Sequence, residues 1–253
     1  MPAIILLMLE RLEKETHVWY VKPETVRDKT VLEACMDTLS EQEREQYRRF
    51  RFPDDSHHYL VSHALVRYTL SAYFDMKPRE WGFSLSDRGR PELANPGLPS
   101  VRFNLSHTKG LAACVVNLSG DCGVDVERIF ARHNPIGVAK RMFSAAEYEQ
   151  MLQLHGHEQL EYFFTRWTLR EAYVKARGIG ISFPVHKLNF TVESDSNIKI
   201  DFDPDIQDDG GGWQFQLLPL SADHVTSVAI RREIDKYIVT HLVGNDFSPF
   251  IHG

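Results

Sequence analysis

Two carboxylates alternate with valines in GVDVERI, Gly123 to Ile129. Side chains along a strand point to opposite faces in turn, so Asp125 and Glu127 share one face, roughly 7 Å apart, and Val124 and Val126 share the other. Oxygen ligands at that spacing suit a hard divalent cation, although alternating charge also marks an ordinary solvent-facing strand. A second group lies in FFTRWTLREAYVKARGIG, Phe163 to Gly180. At 3.6 residues per turn, Phe164, Trp167, Glu171 and Lys175 fall on one stripe. Glu171 and Lys175 form an i,i+4 pair in the favourable order, worth only ~0.3 kcal/mol on an open surface. Phe164 and Trp167 ask for burial, and a carboxylate and an ammonium at the rim of a buried stripe are the company that functional groups keep.

A third group is FNLSHTKG, Phe103 to Gly110, which puts Ser106 and His107 at the end of an apolar strand. Neighbours in a strand face opposite ways, so the two do not make a nucleophile–base dyad. Hydrogen bonding in a turn and phosphate binding by the imidazole and backbone N–H groups both remain open. A fourth combines DRGRP, Asp87 to Pro91, with the arginines of RRFRF, Arg48 to Phe52. Guanidinium groups bind phosphate through a planar fork, and they also populate any protein surface. His57–His58 and His155–His157 show no metal-ligand spacing and read as exposed helix or loop residues.

These residues need elements to hold them. Ser40 followed by Glu43 is a capping-box start for a helix over SEQEREQYRRF. Pro53 ends that helix, and Asp54 or Asp55 caps a longer one through DSHHYLVSHALVRYTLSAYF. A short strand covers His17 to Val21. After Pro78 the pattern alternates: WGFSLSDRGRPEL is a strand with a tight turn at Gly89, VRFNLSHTKGLAACVVN is a hairpin bending at Lys109 and Gly110, and GDCGVDVERI is a short strand. The second half repeats the order. Helices start at Ser144 and run from Leu160 to Arg177, strands follow in KLNFTVES, NIKIDF, WQFQLLPL and VTSVAIRR, and residues 201–212 form an Asp- and Gly-rich loop. The expected class is α+β, two similar lobes over residues 1–120 and 121–253.

The 253 residues are enough for two small lobes with real cores, and the 43% hydrophobic and 25% charged content is that of a globular protein. A net charge of -6 argues against nucleic acid as a partner. The apolar start ends at Leu9, too short to span a membrane and without the basic flank of a signal peptide. Cys35, Cys114 and Cys122 form no metal or redox spacing and read as buried thiols of a cytoplasmic protein. No P-loop or kinase-like glycine motif is present.

In order and spacing the motifs resemble those of the 4'-phosphopantetheinyl transferases of the surfactin-synthetase-activating (Sfp) type, from about Ser40 to Pro184. That family carries a Gly-Lys-Pro-like turn, an Asn-hydrophobic-Ser-His strand, a Gly-hydrophobic-Asp-hydrophobic-Glu strand and a Trp-x-x-Lys-Glu-x-x-x-Lys helix. Here they read GRP at Gly89, NLSH at Asn104, GVDVE at Gly123 and WTLREAYVK at Trp167. The resemblance implies a pseudo-dimer of two α+β lobes with coenzyme A in the cleft between them. It implies an enzyme that transfers phosphopantetheine to a serine of an apo acyl or peptidyl carrier protein. Asp125, Glu127 and Glu171 would hold Mg²⁺, and Asp125, Glu171 and Lys175 would be the catalytic set. Arg88, Gly89, Arg90, Pro91, Asn104, Ser106 and His107 would bind coenzyme A, His107 through the 3'-phosphate. The expected state is a monomer with no membrane partner. The lysine that precedes the family's glutamate is Arg170 here, and Glu43 and Gln46 stand where relatives carry basic contacts. Another metal-dependent phosphotransferase or a phosphodiesterase using the same carboxylates is the rival enzyme; a non-catalytic coenzyme A-binding or carrier-binding module would have lost Glu171 or Lys175. For the carrier, Arg128, Arg132, Lys140 and Arg141, interleaved with Ile129, Phe130, Ile136 and Phe143, form either a docking face or a cover over the second lobe.

Overall fold

The structure, a computed structural model, describes residues 3–130, 134–180, 182–232 and 236–247. In chain order its elements are α1 (Ala3–Arg11), β1 (Glu15–Val21), α2 (Lys29–Thr38), α3 (Glu41–Arg49), α4 (Pro53–Ser71), β2 (Phe83–Leu85), β3 (Pro91–Leu93), β4 (Val101–Thr108), β5 (Leu111–Leu118), β6 (Cys122–Arg128), α5 (Pro135–Met142), α6 (Ala145–Leu152), α7 (Gly156–Arg177), β7 (Leu188–Val192), β8 (Ile198–Phe202), β9 (Trp213–Leu217), β10 (His224–Arg231) and β11 (Tyr237–Leu242). The class is α+β. The chain divides into two units, one from the described residues of Met1–Leu85, Pro91–Ser119 and Lys236–Gly253, the other from those of Ser86–Arg90 and Gly120–Asp235. No described helix is long and apolar enough to cross a membrane.

In the first unit, β11, β1, β5 and β4 make one sheet in that order. β4 and β5 form the expected hairpin, with Thr108 opposite Leu111 and Gly110 taking the positive φ that so tight a loop demands. α4 supplies Leu60, Val61, Leu65 and Leu70 to a core that includes Trp19, Tyr73, Val116 and Phe247. α3 opens with the Ser40–Glu43 capping box. α4 starts differently from the sequence reading. Pro53 is its first residue, where a missing N–H costs nothing, and the carboxylates of Asp54 and Asp55 sit in the first turn beside the positive end of the helix dipole without capping it. The last strand was not anticipated. β11 runs parallel to β1, Glu15 opposite Tyr237, so the residues from Lys236 onward group with the first unit although element order placed them in the second lobe.

In the second unit, β6, β10 and β9 form an antiparallel sheet, and β7 and β8 a hairpin. α7 begins at Gly156, a turn before the expected Leu160, and ends at Gly178, whose φ of 60° closes the helix in the left-handed conformation. One side of α7 gives Leu169, Ala172, Tyr173 and Ala176 to a core with Phe190, Trp213 and Phe215. Its N-terminal half gives Phe163 and Phe164 to a second cluster with Phe143 and Met151.

Candidate active site

The approach of α7 to β6 is set by one glycine. A Cβ on Gly123 would lie 2.1 Å from the Ala172 carbonyl oxygen and 2.6 Å from the Ala176 amide nitrogen. With no side chain there, and only methyls at Ala172 and Ala176, the helix backbone rests on the strand. The side chains that flank this seat then meet. Lys175 Nζ donates to Asp125 Oδ1 at 2.6 Å and to the Val124 carbonyl at 3.4 Å. Asp125 is buried, 7% exposed at the side chain. Glu171, half-buried one turn earlier, has a carboxyl pushed above the ordinary range, first by burial and then by the charge of Asp125, with Lys175 opposing both. Two carboxylates close enough to repel thus share one ammonium. Glu127 is half-buried on the same strand, opposite Val225 of β10. Across from Asp125 lies Ser227, whose hydroxyl is 2.6 Å from that of Thr168 on α7, a second tie between helix and sheet.

The donor set of Asp125, Glu127 and Glu171 is hard oxygen throughout. Among the described residues no ready-made cage of three His, Cys, Asp or Glu ligands is gathered. Mg²⁺ is usually held by one or two carboxylates completed by substrate phosphates and water, not by an all-protein cage. The carboxylates of Asp125 and Glu171, close enough for the charge of one to raise the other, fit such a cation.

The turn before β3 is tied to the C-terminus of the same helix. Gly89 has φ 81°, and its N–H donates to the Ser86 carbonyl. Arg90 Nη1 donates to the Ala176 carbonyl at 2.8 Å and to Asp121 Oδ1 at 3.1 Å, and Arg88 Nη1 donates to the Ile179 carbonyl. Both arginines therefore satisfy carbonyls at the negative end of α7. Arg88, Gly89 and Pro91 are exposed.

In the first unit, Asn104, Ser106 and His107 lie on β4 opposite Val115, Ala113 and Ala112. Ser106 is buried and His107 exposed, as alternation requires. The structure adds His58 to this group. Its ring lies 5.8 Å from that of His107, and its Nε2 accepts the Gly110 N–H at the hairpin bend. His57 bonds the Pro23 carbonyl at 2.7 Å. Both are half-buried anchors of α4 and not the exposed residues that their spacing suggested; nothing local in the sequence marks them, because their partners are distant backbone groups. His155 and His157 are exposed.

Two departures from the family pattern also find their places. Glu43 closes the α3 capping box, and it accepts from Arg67 at 2.6 Å and from His63 at 2.9 Å. Gln46 is exposed, as are Arg48, Arg49 and Arg51. Arg170 is buried and bonds the Glu147 carboxylate. In the segment after β6, Phe143 belongs to the core, while Arg128, Phe130, Ile136, Lys140 and Arg141 are exposed. Arg132 lies outside the described residues.

Two family models match the chain: the 4'-phosphopantetheinyl transferase superfamily over residues 121–229, and the N-terminal part of a 4'-phosphopantetheinyl transferase over residues 27–118. The chain is 31% identical over 169 residues to 4'-phosphopantetheinyl transferase Sfp of Bacillus subtilis, which covers 67% of this chain and 73% of that one. It is 33% identical to 4'-phosphopantetheinyl transferase HetI of Nostoc sp., over 69% of this chain and 73% of that one. A phosphopantetheinyl transferase of Thraustochytrium sp. is 30% identical over 84% of this chain and 74% of its own length.

Proposed function

Because this chain belongs to the 4'-phosphopantetheinyl transferase family, and so is an enzyme that moves phosphopantetheine from coenzyme A to a carrier protein, we propose that it does so with Mg²⁺, on a serine hydroxyl, releasing adenosine 3',5'-bisphosphate. The observation that carries this reading is the Gly123 seat, which brings Lys175 and Glu171 onto Asp125.

The carrier serine Oγ attacks the phosphorus that bears the pantetheine arm. A new P–O bond forms, the bond to the bridging pyrophosphate oxygen breaks, and that oxygen leaves on the 5'-phosphate of the nucleotide. Glu171 takes the serine proton, directly or through an intervening water. Lys175 meets the charge on the phosphoryl oxygens. Asp125 holds Lys175 in place through the 2.6 Å bond. Mg²⁺, held by Asp125, Glu127 and Glu171, would supply further charge neutralisation to the pyrophosphate. His107 and Ser106 bind the 3'-phosphate end, Asn104 supports them on β4, and Arg88 to Pro91 line the nucleotide. The exposed Arg128, Lys140 and Arg141 with Phe130 and Ile136 dock the carrier. The three buried cysteines accord with a reducing, cytoplasmic setting, and the enzyme acts as a monomer.

The test is incubation with coenzyme A, Mg²⁺ and a panel of apo-carriers, read by intact mass. The expected result is a phosphopantetheine increment on at least one carrier, lost in Asp125→Ala with the fold retained by circular dichroism. Normal turnover in that variant would falsify the proposed site.

A further inference from the structure

The residue next to Glu171 reaches in another direction. Arg170 is 1% exposed, so its guanidinium meets no substrate. Nε donates to the carbonyls of Met142 at 3.0 Å and Val185 at 3.2 Å, Nη1 to that of Arg166 at 3.0 Å, and Nη2 to that of Leu188 at 2.8 Å and to the Glu147 carboxylate. The rings of Phe143 and Phe190 lie against it at 4.6 and 5.3 Å. Glu147 is itself held. It closes the α6 capping box through the Ser144 amide and hydroxyl, and it accepts the Phe190 N–H at 3.0 Å. The end of α5, the start of α6, the turn before β7 and β7 itself therefore all converge on one side chain of α7.

That side chain sits one residue from the proposed base and five from Lys175. Along a helix each residue advances 1.5 Å and turns about 100°, so whatever fixes the height and rotation of α7 at Arg170 fixes Glu171 as well. The Gly123 seat is a contact of backbone on backbone, held by the Thr168–Ser227 and Lys175–Asp125 bonds, and Arg170 adds a buried tie to α5, α6 and β7. A lysine, the residue of the family pattern, offers one compact ammonium and cannot serve carbonyls spread around a planar fork.

We propose that Arg170, clamped by Glu147, is the positioning residue that sets the register of α7 on β6 and so holds Glu171 and Lys175 against Asp125. This rests on the reading of Glu171 and Lys175 as catalytic. Its role here is not to place a positive charge on phosphate.

Arg170→Lys separates the two roles, because it keeps the charge and loses the fork. Assayed on the full chain well below its melting temperature, with folding checked by circular dichroism, it should lower kcat by about 10- to 100-fold. kcat should fall by more than KM for coenzyme A rises, because Arg170 itself meets no substrate and acts only through the placement of Glu171 and Lys175. Glu147→Gln, which leaves Arg170 in place, should lower kcat in the same way with the same smaller effect on KM, and it serves if Arg170→Lys does not fold. A lowered melting temperature with kcat unmoved in a folded variant would mean that Arg170 is structural only, and the proposal fails. Glu171→Gln is assayed beside them. If it is dead while the Arg170 and Glu147 variants turn over normally, the positioning inference falls and the assignment of the site stands; if Glu171→Gln is active, the assignment itself falls.

Discussion

Gly123→Ala adds one methyl group where α7 rests on β6. The new Cβ would stand 2.1 Å from the Ala172 carbonyl oxygen and 2.6 Å from the Ala176 amide nitrogen. Ordinary van der Waals contact begins near 3.4 Å, so strand and helix must part by about 1 Å or more. Both opposing atoms are backbone, and no rotamer change relieves them. Overpacking of this kind typically costs about 1–3 kcal/mol, and the absence of any flexible neighbour puts this site at the upper end, about 3 kcal/mol. The consequence for the site is larger. The Lys175–Asp125 bond of 2.6 Å spans the same gap, and a further ångström takes it out of hydrogen-bond range. Misplacement of about 1 Å in an active site can remove roughly 100-fold in rate. Urea denaturation gives the first quantity, and initial rates of carrier modification at a temperature where the variant is folded give the second. Gly89→Ala is the control: it meets nothing within 4 Å but has φ 81°, so it should cost about 1 kcal/mol of backbone strain. If Gly123→Ala matched the wild type within about 0.5 kcal/mol and kept its rate, the seat would not be what brings these groups together.

Three further outcomes follow from the local environments. His107→Ala should raise KM for coenzyme A far more than for 3'-dephospho-coenzyme A, and equal losses would make His107 structural. Burial pushes the Glu171 carboxyl up and the charge of Asp125 adds to it, against Lys175. A carboxyl raised in the folded state stabilises most below its unfolded value and loses that as pH rises through its folded value. Glu171→Gln should therefore be more stable than the wild type at neutral pH, with the gap closing on acidification; a gap that does not change with pH would count against the buried carboxylate pair. Glu43 is the opposite case. Burial alone would raise it, but the His63 hydrogen bond, the charge of Arg67 and the donors of Ser40 bring it down to about 2 from 4.5. Its stabilisation is complete above 4.5 and lost as pH falls towards 2. The wild type should therefore exceed Glu43→Gln by about 3 kcal/mol near neutrality, and denaturant titrations should show that difference shrinking between those two values; the same difference at every pH would overturn the ion-pair account.

Local chemistry was legible in the sequence, and long-range partnership was not. Ser40 with Glu43 announced a capping box because both halves lie within one turn. The β4–β5 hairpin announced itself through alternation and Gly110. Asp125, Glu171 and Lys175 stood out through spacing within one strand and one helix, and the order of four motifs named the family. What brings them together, Gly123 under Ala172 and Ala176, is a contact between elements far apart in sequence, and the motif glycine gave no hint of its partner. Arg170 looked like a charge-preserving replacement for lysine, because its true neighbours, Met142, Glu147, Val185 and Leu188, are drawn from three other elements. His58 acquires meaning only when the hairpin bend reaches it. β11 follows a short charged run with no strand signal of its own, and its place is set only by lying beside β1.

That last pairing has a consequence for synthesis. β1 leaves the ribosome well before its parallel partner, and the continuous part of the second unit is made between them. Lys236, which binds the Leu12 and Leu118 carbonyls and the Asn117 side chain, arrives equally late. At 5–20 residues per second, the nascent first unit waits on the order of ten seconds with one edge of β1 bare. An uncovered strand edge is a template for wrong pairing. The second unit, continuous in the chain apart from the short turn at Ser86–Arg90, can collapse during that interval, so the half made first is the half finished last.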